Sequence, residues 1–495
     1  QALFRCLSVF RGAFTRRAAR VVCQASPHEL RQLVDCSLLW HKTPGWYEVH
    51  ELLRQYGGER LAQFDQDEGQ VCNRHSQYYL GQLSRLQAEL KSTGQGAALE
   101  SIDLEHENYR AAWDWAAGQA DAAQLTEALE PLCLYYDLRL RYSDGESACH
   151  LALEKIAAPD LDPQQILILV MLQTWMARFQ RLLGRPESAQ QIHQRCLNSL
   201  DDLGGKGCDI RRQKAFLHLE MGNTIYHTEL QAANRWHQES LELYRNLQDD
   251  WGTATALASL GETALQNGRF AESITCYQES LSLFRALGDP RGIAGALIGI
   301  GNGLFRVGRL QEGENHIRKT VRFFEQLGDP AGIARSQVNL ARAFFWQGKF
   351  TEIISLAKTT LQVLEELGLH YDRAYLLCLS ILVSSHLEDY QQADIHAQKL
   401  IPLCQQIGYP RMLTAAYIGL GMAALAQNQY NTAREYYQKG VNIFIDIDQP
   451  DELAACTGSL GGAHLKSGDL ELARKTLYQS LGVICLLYTS DAADD

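Results

Sequence analysis

The sequence contains none of the short motifs that mark the common catalytic and metal-binding sites. No Gly-x-x-x-x-Gly-Lys-Ser/Thr loop occurs in its 495 residues, so it has no phosphate-cradling loop of its own. Neither Gly-x-Ser-x-Gly nor His-Glu-x-x-His occurs, and none of the 13 cysteines forms a Cys-x-x-Cys pair. Scattered cysteines of this kind favour reduced, buried thiols over zinc or disulfides. We therefore expect no enzymatic activity and no metal in this chain.

Long apolar runs are also missing. No segment reaches the roughly 18 apolar residues of a membrane helix, and Arg5, Arg11, Arg16 and Arg17 interrupt the beginning, where a secretion signal would need an apolar stretch. The formal net charge of -12 argues against a repeat array that grips nucleic acid. The composition thus predicts a cytoplasmic protein without a membrane span.

What the sequence does contain is a repeat with a period of forty residues. Two series of turn signals keep this step over six copies each. The first lies at residues 247–249, 287–289, 327–329, 367–369, 407–409 and 447–449, and the second at 268–270, 308–310, 348–350, 388–390, 428–430 and 468–470. A fixed period of this size is typical of a solenoid, in which each unit buries its apolar face only against its neighbours. Most of the chain is therefore predicted to be a binding surface.

Each repeat contains two amphipathic runs. Between residues 251 and 289, apolar residues recur at helical spacing up to Asn267-Gly268, and a second run ends at Gly288, where glycine suits a left-handed C-cap. Pro290 cannot continue that helix. The pattern predicts antiparallel helix pairs, about eight of them, over residues 122–484.

Small residues recur where the two helices of a repeat would approach closely. They lie on the first helix at Gly261, Gly301, Ala341, Gly421 and Gly461. On the second helix they lie at Ser273, Gly313, Ala393, Ala433 and Ala473, a position twelve residues after the first-helix position, where Ile353 departs from the pattern. This pattern resembles the tetratricopeptide repeat, whose usual period is about 34 residues. The resemblance implies an all-α fold, a right-handed α-solenoid of tetratricopeptide-like helix pairs with a lengthened second helix.

The first sixty residues do not repeat. They predict three short helices, with Thr15 capping the second and the third running from Pro27 to Cys36, followed by a hairpin that turns at Pro44-Gly45. We predict a small winged-helix domain at 1–62, a helical connector at 63–121 and the repeat superhelix at 122–484. Residues 485–495 read like a translated sequencing adapter, so we expect an artefactual tail and a chain cut at both ends.

Four segments carry a more specific resemblance: LSVFRGAFT at 7–15, LVDCSLL at 33–39, YEVHELLRQY at 47–56 and DLEHENYRAAWDW at 103–115. They resemble the winged helix and connector of bacterial STAND (signal-transduction ATPase) regulators of the NB-ARC-like kind. The resemblance implies a nucleotide-binding domain that would precede Gln1, with ADP or ATP bound there and no cofactor in this segment.

His50 is the candidate nucleotide sensor. Val49-His50-Glu51 matches the Met-His-Asp motif of that family, whose histidine contacts the β-phosphate of ADP. A histidine can donate a hydrogen bond to a phosphate oxygen. An ordinary histidine at a helix N-terminus remains the alternative.

A second candidate site lies on the first helices of the repeats. Polar, basic and aromatic residues fall where the concave face of such a solenoid is expected: Asn302, Arg306, Arg335, Arg342, Phe345, Trp346 and His386. Aromatic and arginine side chains dominate binding hot spots, and the arginines favour an acidic peptide or an anionic ligand. Solvated side chains paired with local glutamates are the alternative interpretation.

Three functions remain open from the sequence. The favoured one is the sensor of a STAND-type regulator: the superhelix binds a protein or small-molecule inducer, the winged helix relays this to the missing domain, and self-assembly follows. The second is a DNA-binding winged helix, supported by Arg16, Arg17 and Arg20 but opposed by a recognition segment whose only basic group is Arg31. The third is a plain tetratricopeptide adaptor.

Overall fold

The computed structural model describes residues 1–63, 65–156, 161–226, 229–407, 410–446 and 450–491. Within these ranges the chain is α-helical apart from three short strands near the beginning, which confirms the predicted all-α class. No helix among the described residues is long and apolar enough to cross a bilayer. The chain divides into two compact units, Gln1–Gly299 and Ile300–Asp495.

The first unit begins with a small module of four helices and a three-stranded sheet. Its elements are α1 (Ala2–Leu7), β1 (Ala13–Thr15), α2 (Arg16–Cys23), α3 (Pro27–Asp35), β2 (Trp40–Thr43), β3 (Trp46–Glu48) and α4 (Glu51–Leu61). The strands are antiparallel in the order β1-β3-β2. The Thr15 side chain accepts the backbone N–H of Ala18, as predicted, and Gly45 supplies the positive φ of the hairpin turn. Strand β1 was not predicted, since three residues are too few to show alternation.

Three connector helices share one core with this module. They are α5 (Asp65–Leu90), α6 (Gln95–Leu104) and α7 (His106–Gly118). Phe10 and Phe14 stack at 4.1 Å between ring centroids, and Phe10 meets Tyr79 of α5 edge to face at 6.3 Å. Trp113 of α7 is buried in the same cluster. The module and the connector therefore form one packed body within the first unit.

The rest of the described chain consists of consecutive helix pairs. They are α8 (Ala122–Leu138) with α9 (Tyr142–Ile156), α10 (Pro163–Leu182) with α11 (Pro186–Gly205), α12 (Arg211–Ile225) with α13 (Leu230–Asn246), α14 (Asp250–Gln266) with α15 (Phe270–Leu287), α16 (Pro290–Arg306) with α17 (Leu310–Leu327), α18 (Pro330–Trp346) with α19 (Phe350–Glu366), α20 (His370–His386) with α21 (Tyr390–Ile407), α22 (Pro410–Ala426) with α23 (Tyr430–Asp446) and α24 (Pro450–Lys466) with α25 (Leu470–Asp491). The described residues thus hold nine pairs, one more than the eight or so that the sequence predicted for residues 122–484.

Backbone angles confirm the forty-residue register. The residue between the two helices of a pair has positive φ at Gly268, Gly308, Gly348, Glu388, Asn428 and Gly468. Residues 408–409 and 447–449, where two further turns were predicted, lie outside the described residues. The last helix, α25, continues to Asp491, past the point at which the tail was predicted to begin.

Small residues do mark close approaches of helices. A Cβ atom added at Gly261 would lie 2.8 Å from the Tyr277 ring, and one added at Gly421 would lie 2.6 Å from the Tyr437 ring. Real Cβ atoms do not come this near to a ring carbon, since interiors are close-packed. The glycines thus allow an aromatic ring of the second helix to lie directly against the first helix.

Candidate functional site

A cleft of about 230 Å³ opens between the first helices of successive pairs in the second unit. It is lined by Val338, Asn339 and Arg342 of α18, by Tyr371, Asp372 and Tyr375 of α20, and by Met412 of α22. We call this site the arginine cleft. Its wall combines two tyrosines and a methionine with one guanidinium group, a composition common at binding hot spots.

Neutral groups hold Arg342 in place. Its Nη2 atom donates to the side-chain oxygens of Asn302 and Asn339, both at 2.7 Å. Its guanidinium carbon lies 5.9 Å from the centre of the Tyr375 ring. Among the described residues no carboxylate lies within ion-pair distance of this guanidinium, so its positive charge is oriented but not neutralised. A fixed guanidinium fork suits a carboxylate or phosphate group.

Arg335 is differently placed. Its Nε atom lies 3.3 Å from the carboxylate of Asp372 on the neighbouring α20, and both side chains are partly exposed. This pair matches the alternative interpretation for that one residue, namely an arginine engaged by a local acid. Arg335 therefore positions the cleft wall, whereas Arg342 presents the charge.

The structure brings together only part of the predicted set. Asn302 and Arg342 are bonded to each other, and Arg335 flanks them. Phe345 and His386 lie instead against the Phe350 ring, with ring centroids 6.1 and 4.8 Å from it. Arg306 and Trp346 are exposed at the ends of α16 and α18. These four residues thus flank the turns between helices and do not line the cleft.

Sequence reasoning missed the tyrosines and the methionine of the cleft. Tyr375 lies forty residues after Arg335, and Met412 lies forty residues after Asp372. Comparison of equivalent repeat positions could have found them, but apolar and aromatic residues on a repeat helix are usually core. Only the exposure of Tyr371 and the partial exposure of Tyr375 and Met412 distinguish them from core residues.

His50, the predicted nucleotide sensor, is the exposed N-cap of α4. Its Nδ1 atom accepts the backbone N–H of Leu52 at 3.3 Å, and Trp40 meets its ring edge-on at 5.9 Å. An Nδ1 that accepts a hydrogen bond places the proton of a neutral imidazole on Nε2. Glu51 does not cap this histidine, because its carboxylate binds Arg54 and Gln55, and these hydrogen bonds lower the pKa of Glu51 to about 2.

A buried asparagine joins the module that carries His50 to the connector. The Asn108 side chain accepts the backbone N–H of Arg11 at 2.7 Å and donates to the carbonyl of Ala13 at 2.9 Å. His75 also lies 3.4 Å from its oxygen. Asn108 therefore links α7 of the connector to the backbone at the start of β1 by two hydrogen bonds.

Sequence comparison supports the repeat assignment in two places. Residues 213–286 and residues 414–444 each match a family model described as tetratricopeptide repeat. No curated protein sequence matches the chain. The chain therefore has an all-α fold built from tetratricopeptide-like helix pairs, and these matches place recognisable repeats in both units.

Solved structures resemble this fold at low sequence identity. The apo form of the quorum sensor NprR from B. thuringiensis is 13% identical, with a TM-score of 0.50, over 75% of this chain and 96% of that one. A STAND protein with a tetratricopeptide repeat sensor from Pyrococcus horikoshii is 15% identical, with a TM-score of 0.46, over 99% of this chain and 64% of that one. Aspartyl phosphate phosphatase F from Bacillus subtilis is 12% identical, with a TM-score of 0.47, over 74% and 94%. The chain thus spans about two thirds of the Pyrococcus horikoshii protein.

Proposed function

We propose that this chain is the sensor portion of a STAND-type regulatory ATPase, and that the arginine cleft binds an acidic group of a peptide or protein inducer. The observation behind this proposal is Arg342, a guanidinium held by two neutral amides beside two tyrosines. An arginine fixed without a carboxylate partner is already oriented for an anionic ligand, so binding costs little side-chain entropy. The NprR likeness concerns the fold alone, and that protein's description as a quorum sensor agrees with a sensing role.

The module at the beginning of the chain would act as the relay, a winged helix in the proposed regulator. Its surface near His50 supports this role, because Trp40, Leu52 and Tyr56 are 59%, 69% and 52% exposed. Large apolar side chains in such positions mark protein contacts. They would pack against a nucleotide-binding domain that precedes the module.

His50 would sense the nucleotide in that domain. Its exposed ring, with Nδ1 engaged by Leu52, can donate a hydrogen bond from Nε2 to a phosphate oxygen, so the residue fits a diphosphate contact. The nucleotide would supply the phosphate whose loss or exchange resets the switch. Inducer binding to the repeats would favour the open form, which requires only different affinities for the two states. Asn108 would couple the connector to the module.

The arginine cleft is tested with a small anionic probe. The probe is a blocked, fluorescein-labelled pentapeptide with two aspartates and a central phenylalanine, measured by fluorescence anisotropy. We expect wild type and Arg322→Ala to bind it equally, since Arg322 is an exposed arginine of α17 outside the cleft. Arg342→Ala should bind the probe roughly tenfold or more weakly than wild type. Trp346→Ala tests whether the flanking turn contributes to binding. Equal binding by wild type and Arg342→Ala, with unchanged helicity, would sink the assignment.

The regulator assignment is tested by sequencing the coding region upstream of Gln1. A phosphate-binding loop followed by an acidic Mg²⁺ site would support the ATPase switch and justify a His50→Ala variant in the complete protein. This chain alone should not hydrolyse ATP. An initiating methionine directly upstream would favour the adaptor function and would contradict the proposed role of His50.

DNA binding is the weaker alternative. Arg16, Arg17 and Arg20 are exposed on α2, which gives the module a basic side. Helix α3, however, carries Arg31 as its only arginine or lysine, and base reading usually needs several Arg, Asn or Gln side chains. Strongly salt-dependent DNA binding by the module would revive this alternative.

A further inference from the structure

The turn between α5 and α6 reaches across the first unit and lies on its repeats. This turn, residues 91–95, is the connector turn. Gln95 donates to the Asp289 carboxylate at 3.2 Å across 194 residues of sequence. A Cβ atom added at Gly288 would lie 2.6 Å from the Thr93 methyl group, so the two backbones are in close approach. The connector therefore touches a repeat turn far along the chain.

At the centre of this contact, Lys91 occupies a cage. Its ammonium group is hydrogen-bonded to the Glu130 carboxylate of α8 and lies 4.4 Å above the centre of the Trp251 ring of α14. The Trp251 indole in turn donates to Asp289 at 2.9 Å, which fixes the ring. A carboxylate beside an aromatic face is the arrangement that recognises a cation. We call this site the ammonium cage.

The acidic wall of the cage is fixed from behind. The second oxygen of Glu130 accepts hydrogen bonds from Gln87 at 2.8 Å and from Arg212 at 2.7 Å. Burial by itself would raise the pKa of Glu130, but Lys91 and Arg212 outweigh it and lower the pKa below its ordinary value. The carboxylate therefore stays ionised and oriented, whichever ammonium group faces it.

The cage adjoins a larger cleft that is lined by α5, α8, α10 and α12 and shares Gln87, Glu130 and Arg212 with the cage. This cleft measures about 580 Å³, and its floor is apolar, formed by Leu129, Leu167, Ile168 and Met171. Its rim carries amide and hydroxyl side chains: Ser84, Gln87, Thr126, Gln164 and Gln213. Side chains of this kind can hydrogen-bond the backbone of an extended peptide. A small cavity next to the cage is lined by Trp175, whose buried indole N–H has no acceptor among the described residues.

We propose that the ammonium cage, with the cleft beside it, binds a lysine-bearing peptide, and that Lys91 of the connector turn occupies the cage until such a peptide displaces it. The site is already complete for a primary ammonium group, and its present occupant is a side chain of the same chemistry. Lys91 and Glu130 are each less than one-fifth exposed, and Thr93 on the same turn is exposed. The contacts of Lys91 with Glu130 and Trp251 are therefore ones that a competing ammonium group can replace one for one.

Displacement would remove the contacts of Lys91 with Glu130 and Trp251 and so loosen the connector turn, which would keep its hydrogen bond from Gln95 to Asp289. Because α5 also packs against the small module, through Phe10 and Tyr79, a movement of α5 at the connector turn would shift its contact with the module. The proposal rests on the proposed function only in treating the repeats as a sensor surface. It uses no residue of the arginine cleft.

The experiment compares wild type with Lys91→Met, which keeps the aliphatic stem and removes the charge. The probe is a blocked, fluorescein-labelled pentapeptide with one central lysine among glycines and serines, and the control peptide has methionine at that position. We expect the lysine peptide to bind Lys91→Met roughly tenfold or more tightly than wild type, since the competitor is gone. The second substitution Glu130→Gln should abolish that gain, and Arg342→Ala should leave it unchanged.

Two results would overturn the proposal. One is equal affinity of the lysine peptide for wild type and Lys91→Met, and the other is no binding to folded Lys91→Met. If the variant does not fold, hydrogen exchange of wild type decides: excess lysine peptide should accelerate exchange at amides 91–95, and the methionine peptide should not. Unchanged exchange at these amides would contradict the proposal. Loss of lysine-peptide binding only in Arg342→Ala would show that the peptide binds in the arginine cleft and would also contradict the proposal.

Discussion

The two units use the same helix pair but place their charges differently. In the first unit, Glu220 is fully buried and pairs with Arg178 at 2.6 Å and Arg181 at 3.1 Å, while Arg178 also reaches Asp137. In the second unit, the buried carboxylate of Glu314 pairs with Arg318 and Lys349, whose side chains are 46% and 34% exposed. The first unit thus leaves its cationic partners only 19% and 20% exposed, whereas the second leaves its cations in wider contact with water.

This difference follows the regularity of the repeats. The charge network of the first unit lies on α8, α10 and α12. These helices belong to the pairs whose sequence departs from the forty-residue register. The second unit follows the register, and its first helices leave Arg342 oriented toward an open cleft. Buried charges are costly to desolvate and tolerate only one arrangement, so they fix how irregular pairs pack. The regular pairs bury the carboxylate of Glu314 but leave its cations partly exposed, and Arg342 on α18 has no carboxylate partner among the described residues.

The largest expected effect concerns acid. Burial lowers the pKa of His75, His193 and His237 in the first unit from 6.5 to about 4. The unfolded chain takes up protons near pH 6.5, while the folded unit does so only near pH 4. The stability that these neutral histidines contribute is therefore complete above pH 6.5 and is lost as pH falls toward 4. Between pH 7 and pH 5 the unfolding free energy of the first unit should fall by on the order of 5 kcal/mol.

Hydrogen exchange with mass spectrometry, corrected for intrinsic rates, checks this prediction segment by segment. Protection in α10 to α13 should fall at pH 5, and protection in α18 to α23 should change much less. His75→Gln should reduce the pH dependence by about one proton. Equal loss of protection in both units would break the comparison.

The next effect separates the two charge networks. Burial by itself would raise the pKa of Glu220, but Arg178 and Arg181 outweigh it and bring the pKa to about 2. Glu220→Gln leaves two guanidinium groups, on side chains only 19% and 20% exposed, short of one charge and should cost about 3 kcal/mol of unfolding free energy. Glu314→Gln, whose cationic partners reach solvent, should cost only about 1 kcal/mol. Urea denaturation of both variants measures the difference, and equal costs would show that burial of the cations is irrelevant.

The smallest effect should be the same in both units. A Cβ atom at Gly292 would lie 2.3 Å from the Phe284 ring, and one at Gly332 would lie 2.3 Å from the Phe324 ring. Each Gly→Ala change should therefore cost about 1–3 kcal/mol through overpacking. Gly295, three residues further along α16, has no atom within 4 Å of its added Cβ, so Gly295→Ala should stabilise by up to about 1 kcal/mol. Thermal denaturation of these variants compares the signs, and a stabilising Gly332→Ala would show that the units do not share this packing.

Much of the fold could be predicted from the sequence because it depends on local interactions. The positive-φ turns, the paired helices and the small residues at close approaches all depend on groups within one repeat, so a forty-residue period reports them. The candidate site was less readable. Asn302 and Arg342, two of the predicted groove residues, are hydrogen-bonded to each other. Phe345 and His386 lie instead beside Phe350 at a turn, since one residue of helical rotation changes the face. Tyr371 and Tyr375 looked like core residues.

The sequence by itself determined the all-α class, the length of the repeat and the positions of its turns, because hydrophobic periodicity and glycine stereochemistry act over a few residues. Only the tertiary structure decided which distant groups meet. Lys91 reaches Trp251, and Gln95 reaches Asp289, through the stacking of several intervening helix pairs. Such contacts depend on the summed rotation from pair to pair, a quantity that no single repeat encodes. For the same reason Arg342, which is held by two neutral amides, and Arg178, which is paired with two carboxylates, could not be told apart from sequence.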